Sequence, residues 1–184
     1  MNEERQGILT VITGDRSSGK THTLWFQFFI PYVNVGVRSA LISHEFGHYT
    51  QKQIKPHILP EHGSDCLWYR GANNYDGILS CIGSAICDAG VQNFAIDEEV
   101  LAHAGKAASR TEYEKFFKDL VKLAIEYGVR VTLVEHPIRL EHNDTRPLLP
   151  SCVSNFAHNI LFCSYSDGKF KQEYIKNRSV GNNM

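Results

Sequence analysis

The run Ile8 to Thr21 reads ILTVITGDRSSGKT. Ile8 to Ile12 are apolar or β-branched, the pattern of a short buried strand. The run then breaks into Gly14-Asp15-Arg16-Ser17-Ser18-Gly19-Lys20-Thr21. That segment is G-x-x-x-x-G-K-[ST], the P-loop, placed as its mechanism requires between a strand and a helix. Two glycines let the chain turn tightly, so that successive N–H groups and the start of the next helix aim at an anion. Lys20 can reach the β- and γ-phosphates, and the Thr21 hydroxyl can ligate Mg²⁺. The expected nucleotide cradle therefore runs from Gly14 through Asp15, Arg16, Ser17, Ser18, Gly19, Lys20 and Thr21 to His22. It predicts a site for ATP or dTTP with Mg²⁺.

Outward from this segment, helical spacing of Leu24, Trp25, Phe28 and Phe29 predicts a helix over Thr21 to Phe29, ended by Pro31. Strands are expected at Val37 to Ile42, Leu67 to Tyr69, Gln92 to Asp97 and Arg130 to Glu135, and a helix over Tyr75 to Ala89. Thr111 to Tyr127 has the strongest helical pattern, with Thr111 and Glu114 as the expected capping box and Gly128 as the stop. Pro137 to Pro150 reads as a polar loop too long for a simple connection. Asn159 to Ser164 and Phe170 to Lys176, around Asp167-Gly168, read as a hairpin. Strands alternating with helices predict an α/β fold: a mainly parallel sheet covered on both faces, with the C-terminal β-hairpin at one edge. Ligands of such sheets gather at the C-terminal ends of the strands, where the P-loop, the Glu45 segment, Asp97 and Glu135-His136 all fall.

The length of 184 residues predicts one domain with a substantial core. A hydrophobic share of 42% and a charged share of 21% are ordinary for a soluble globular protein. A net charge of -1 gives no bulk positive field, so nucleic-acid binding would need a local patch or several pooled subunits. The five cysteines are scattered without C-x-x-C and read as small buried residues in a reducing compartment. No membrane span or signal peptide is expected, which points to the cytoplasm.

Asp97 closes an apolar strand, where a carboxylate would partner Mg²⁺ in a P-loop enzyme. Water activation needs another group, and both Glu45 and Glu98 stand where one could serve. His44-Glu45-Phe46-Gly47-His48 is also a literal H-E-x-x-H. A zinc protease needs that motif on one helix, whereas here it follows a strand pattern, so chance occurrence is the better account.

The order of these motifs resembles the RecA-fold core of DnaB-type replicative helicases and their RecA-like relatives. In that family a P-loop is followed by a strand ending S-x-E, as in Ser43-His44-Glu45, and by a strand ending in Asp, as Asp97 does. The tail resembles it too: Asp144-Thr145-Arg146-Pro147-Leu148-Leu149, an apolar strand, then Lys176-Asn177-Arg178-Ser179-Val180-Gly181. The resemblance spans nearly the whole chain. It implies a RecA-like P-loop NTPase that hydrolyses ATP on single-stranded DNA, as a helicase-like core or a recombination or annealing accessory. It implies Glu45 as the base, Asp97 on Mg²⁺ and His136 as the γ-phosphate sensor. Lys176 and Arg178 would act on a neighbouring subunit's nucleotide in a homo-oligomer, a hexameric ring or a filament. The long loop, with Arg139, His142 and Arg146, matches where this family contacts DNA. Barely seven residues precede the first strand. With no collar or primase domain expected there, a core-only ATPase is favoured over a processive unwinding machine. Two other classes fit the P-loop. One is a nucleoside kinase of thymidine-kinase type, which would want a zinc-binding cysteine lobe near the C-terminus. The other is a nucleotide-dependent DNA-loading module with little turnover.

Overall fold

The structure is a computed structural model that describes residues 8–44, 48–136 and 149–177. Glu45, Arg178 and the loop residues Arg139, His142 and Arg146 lie outside the described residues. Among the described residues, seven strands form one sheet in the order β3-β2-β4-β5-β1-β6-β7. The strands are β1 (Ile8–Gly14), β2 (Ser39–Ser43), β3 (Cys66–Arg70), β4 (Asn93–Ile96), β5 (Arg130–Glu135), β6 (Asn159–Ser166) and β7 (Lys169–Asn177). All neighbours run parallel except β7, which folds back antiparallel on β6 through Asp167 and Gly168. The expected mainly parallel sheet with an edge hairpin is what forms.

The period of two along each strand sorts side chains onto two faces. Leu9 and Val11 of β1, Ala40 and Ile42 of β2, Phe94 and Ile96 of β4, and Val131 and Leu133 of β5 join one buried cluster. Covering that face are α4 (Tyr75–Ala89), α5 (Glu98–Gly105), α6 (Arg110–Tyr127) and α7 (Ser151–Phe156). Ile12, Leu41, Ala95, Val134 and Leu161 turn the other way, onto Leu24, Trp25, Phe29, Ile30 and Val33. These last five belong to one continuous helical stretch, residues 20–33: α1 (Lys20–Thr23), a π-helical Leu24–Phe29, and α2 (Ile30–Val33). Ile54, at the end of α3 (His48–Ile54), packs on the same face. Central strands buried on both faces explain the near-continuous apolar runs in the sequence.

Three local expectations are corrected. Pro31 does not end its helix; it stands in the first turn of α2, and helical geometry continues to Val33. A proline in a regular helix collides with the carbonyl four residues back and lacks the N–H of that rung. The π-helical stretch just ahead opens the ladder, with the Ile30 N–H reaching back to the Trp25 carbonyl. The Asn93 side chain then donates to the Phe28 carbonyl at 3.0 Å, tying the widened turn to β4.

The capping box of α6 is Ser109 with Glu112, not Thr111 with Glu114. Ser109 N and Oγ donate to Glu112 Oε2 at 2.7 and 2.8 Å, and Glu112 N donates back to Ser109 Oγ at 3.2 Å. Both S/T-x-x-E frames occur in the sequence, and the earlier one adds a rung to the helix. Helices α5 and α7 had no counterpart in the sequence reading, since each is short and its period covers barely two turns. Of the cysteines, Cys152 and Cys163 are buried and Cys87 is exposed, so only part of the set is core material. Among the described residues no helix is long and apolar enough to cross a membrane.

Replacing Ser109 with Ala removes this cap and is expected to lower stability by about 1 kcal/mol. Thr111→Ala is expected to change it by less than about 0.5 kcal/mol. Urea unfolding of the two variants distinguishes the frames.

Candidate functional site

The loop after β1 is set by how closely β6 approaches it. Gly14 pairs with Cys163, and a Cβ on Gly14 would lie 2.0 Å from the Cys163 carbonyl oxygen. Only glycine fits. Ser17 and Gly19 take left-handed φ values of 58° and 81°, folding residues 15–19 back over the start of α1. The resulting cleft, ≈ 440 Å³, is lined by Arg16 to His22 together with Glu98 and His136. Strand order explains the last two. β5 lies between β1 and β4, so the C-terminal ends of all three converge on one side of the loop.

Lys20 is only 5% exposed, and its ammonium is held from three directions. It donates to the carbonyls of Gly14 at 3.1 Å and Asp15 at 2.8 Å, and Glu98 Oε2 lies at 3.4 Å. The other oxygen of Glu98 pairs with His136 Nε2. Glu98 thus links Lys20 to His136. Beside them, Thr21 Oγ1 donates to Asp97 Oδ1 at 3.5 Å, and Asp97 itself is 8% exposed. Asp97 Oδ1 also accepts the Glu98 N–H at 2.8 Å and so caps α5. The capping role and the proximity to the P-loop hydroxyl therefore coexist in one carboxylate. The Thr21 hydroxyl and the Asp97 carboxylate are hard oxygen donors on one side of the cleft. That donor set fits Mg²⁺, which takes one or two protein oxygens and fills its octahedron with water and phosphate. Ser18 Oγ is buried with no hydrogen-bond partner among the described residues, as suits a loop built around an anion.

The structure therefore brings together Lys20, Thr21, Asp97, Glu98 and His136. It does not bring Lys176 to them. Lys176 pairs with Ile160 near the start of β6, and its ammonium donates to the Ser154 carbonyl at the end of α7. The H-E-x-x-H motif does not share a helix: His44 follows β2 in a bend, and His48 opens α3. The His44 ring packs on His103 with centroids 4.5 Å apart. Burial, and next the His103 charge, hold the His44 imidazole below its ordinary pKa.

Glu135, which the sequence places with His136 at a strand end, receives no role from that reading. It ends β5 one residue before His136, and its carboxyl lies against Tyr113 of α6, close enough to the cleft to feel the Glu98 charge. Burial pushes this carboxyl up to about 7, against the lowering effects of the Tyr113 hydroxyl and the His136 amide. Burial also raises the Tyr113 phenol, and the nearby Glu135 charge adds to the shift. The signal was present, since an acid closing an apolar strand is unusual and Tyr113 recurs on the buried face of its helix. No protein-family model matches this chain, and no curated protein matches it in sequence.

Two outcomes are expected. Gly14→Ala forces a methyl group against the β6 backbone and should destabilise the fold by at least about 3 kcal/mol in urea unfolding. Because the folded state raises the Glu135 pKa, the native chain holds a proton that the unfolded chain has released between about pH 4.5 and 7. Stability is then highest below that window and falls as pH rises through it, by on the order of 2 kcal/mol. Glu135→Gln should abolish that share of the pH dependence. An unchanged difference between pH 5 and pH 8 would contradict the assignment.

Proposed function

We propose that this chain binds a nucleoside triphosphate with Mg²⁺ and hydrolyses it, as a RecA- and DnaB-like core working on single-stranded DNA. The observation that carries the reading is the Lys20 ammonium and Thr21 hydroxyl at the head of one helix, with Asp97 3.5 Å from that hydroxyl. Arriving phosphates would exchange with weaker partners. Lys20 exchanges two neutral carbonyls and one carboxylate for phosphate oxygens, so its neutral acceptors give way to charged ones. Thr21 and Asp97 would hold Mg²⁺, which neutralises charge on the β- and γ-oxygens when bound. Once Lys20 turns to phosphate, the Glu98 carboxylate is released at the mouth of the cleft, within reach of His136. It can there orient water, with Glu45 as the other candidate base. His136, one residue past the strand that lies between β1 and β4, would donate to a terminal phosphate oxygen.

The oligomer and the DNA track rest on the resemblance of the motif order. Lys176 is not among the residues that line its own cleft, and a trans-acting role would have it exchange the Ser154 carbonyl for a phosphate on another copy. Arg178 would join it, while Arg139, His142 and Arg146 would meet the strand.

Phosphate release from Mg-ATP and Mg-dTTP, measured with and without single-stranded DNA, tests the proposal. Turnover stimulated by DNA is expected. Turnover indifferent to DNA would remove the track, and label appearing on a nucleoside would make the chain a kinase. Tight binding without turnover would leave a loading module. Lys20→Ala should weaken triphosphate binding roughly 10- to 100-fold, the worth of one charge-assisted contact. Retained affinity would refute the phosphate loop.

A further inference from the structure

The hairpin tip carries two large apolar rings that the core does not use. Phe170 is 64% exposed and Tyr165 is 56% exposed. They are direct cross-strand partners in the β6–β7 ladder, with ring centroids 4.8 Å apart. Such a pair steadies a hairpin wherever it occurs. This one is distinguished by what lies behind it. A Cβ built on Gly19 would meet the Cδ1 and Cε1 atoms of Phe170 at 3.3 and 3.4 Å, so one edge of the ring stands beside the phosphate loop itself.

The height of the pair follows from register. Cys163 is level with Gly14, the last residue of β1, and Tyr165 stands two residues further along. At ~3.3 Å per residue the rings rise about 7 Å past the end of β1, alongside the loop. Gln172 fixes that height. It shares the Phe170 face of β7, donates to Thr23 Oγ1 at 2.8 Å and accepts from Gln27 Nε2 at 2.8 Å. Two hydrogen bonds to the helix that begins at Lys20 thus clamp the strand that carries the ring.

We infer that Phe170, backed by Tyr165, is the stacking platform for the base of the nucleotide whose phosphates lie in the Gly14–Thr21 loop. The inference rests on the nucleotide-binding reading above and deepens it. Gly19 lines the phosphate cleft, and its vacant Cβ position lies beside one edge of the Phe170 ring. A nucleoside leading out of the cleft over this rim meets a flat apolar face with no donor or acceptor pattern. Stacking of that kind tolerates any base, because every base has a π-face. The site should accept ATP and dTTP alike, with a modest preference for the larger ring.

The test compares Mg-ATP with inorganic tripolyphosphate by calorimetry, using the full chain. Tripolyphosphate fills the loop and has no base. Phe170→Ala is expected to weaken ATP about tenfold, in line with the loss of one aromatic–base stack, and to leave tripolyphosphate within twofold. Phe170→Trp keeps a ring and should keep ATP affinity, with its emission quenched by ATP and not by tripolyphosphate. ATP affinity unchanged in Phe170→Ala would overturn the platform. So would equal losses for both ligands together with Phe170→Trp emission that ignores ATP, a result that marks Phe170 as a support for the loop alone. A wild-type chain that binds neither ligand fails at the phosphate loop, and the platform falls with it. One that binds both equally fails at the platform alone.

Discussion

A lysine ammonium that is almost wholly removed from solvent must be paired, and the rest of this molecule is arranged so that Lys20 is. Two of its partners are main-chain carbonyls at the end of β1, and the third is a carboxylate from the helix after β4. Each partner depends on a different part of the sheet. The carbonyls are presented only because the chain turns at Gly14, and Gly14 is imposed by the close approach of β6. The carboxylate arrives only because β5 separates β1 from β4 by one strand, so that the start of α5 reaches across. Truncating Glu98 would leave a buried cation leaning on neutral dipoles, and unpaired buried charge is among the costliest defects a fold can carry.

The same carboxylate ties chemistry to architecture. Glu98 joins Lys20 to His136 and follows the residue that caps its own helix, so the cap, the cation and the imidazole form one connected network. Networks of this kind shift together, because moving one member removes the partner of the next. Binding a polyanion at Lys20 would therefore be felt at His136 without a change in the sheet.

Much of this is legible in the amino-acid sequence. A strand that breaks into a glycine-flanked basic loop has few physical outcomes, and the alternation of strands with helical periods leaves a covered parallel sheet as the economical packing. Tyr75 to Ala89 and Arg130 to Glu135 form with the bounds their patterns imply. Where local signals competed, the sequence was ambiguous for a physical reason. Ser109 and Thr111 both offer a hydroxyl three residues ahead of a glutamate, and only the helix length decides between them. Pro31 reads as a terminator unless the ladder ahead of it has already widened, a tertiary accommodation that no local rule supplies. At the site, residue types were readable and connections were not. Asp97 was expected near Thr21, but nothing in spacing announces that Glu98 would bridge Lys20 and His136. The burial of Glu135 behind α6 depends on packing between elements far apart in the chain.

The hairpin has a final consequence for how copies of the chain can meet. Among the described residues β7 is the last strand of the sheet, so its outer rim offers unsatisfied amides and carbonyls to any other extended segment. Lys169, Lys171 and Lys176 stud that rim along with the acidic Glu173. Two such rims laid side by side would bring ammonium groups together, an arrangement that lysine-bearing borders discourage in proteins generally. Fibril-like growth by strand addition is thereby disfavoured, and self-association is steered towards contacts made by side chains.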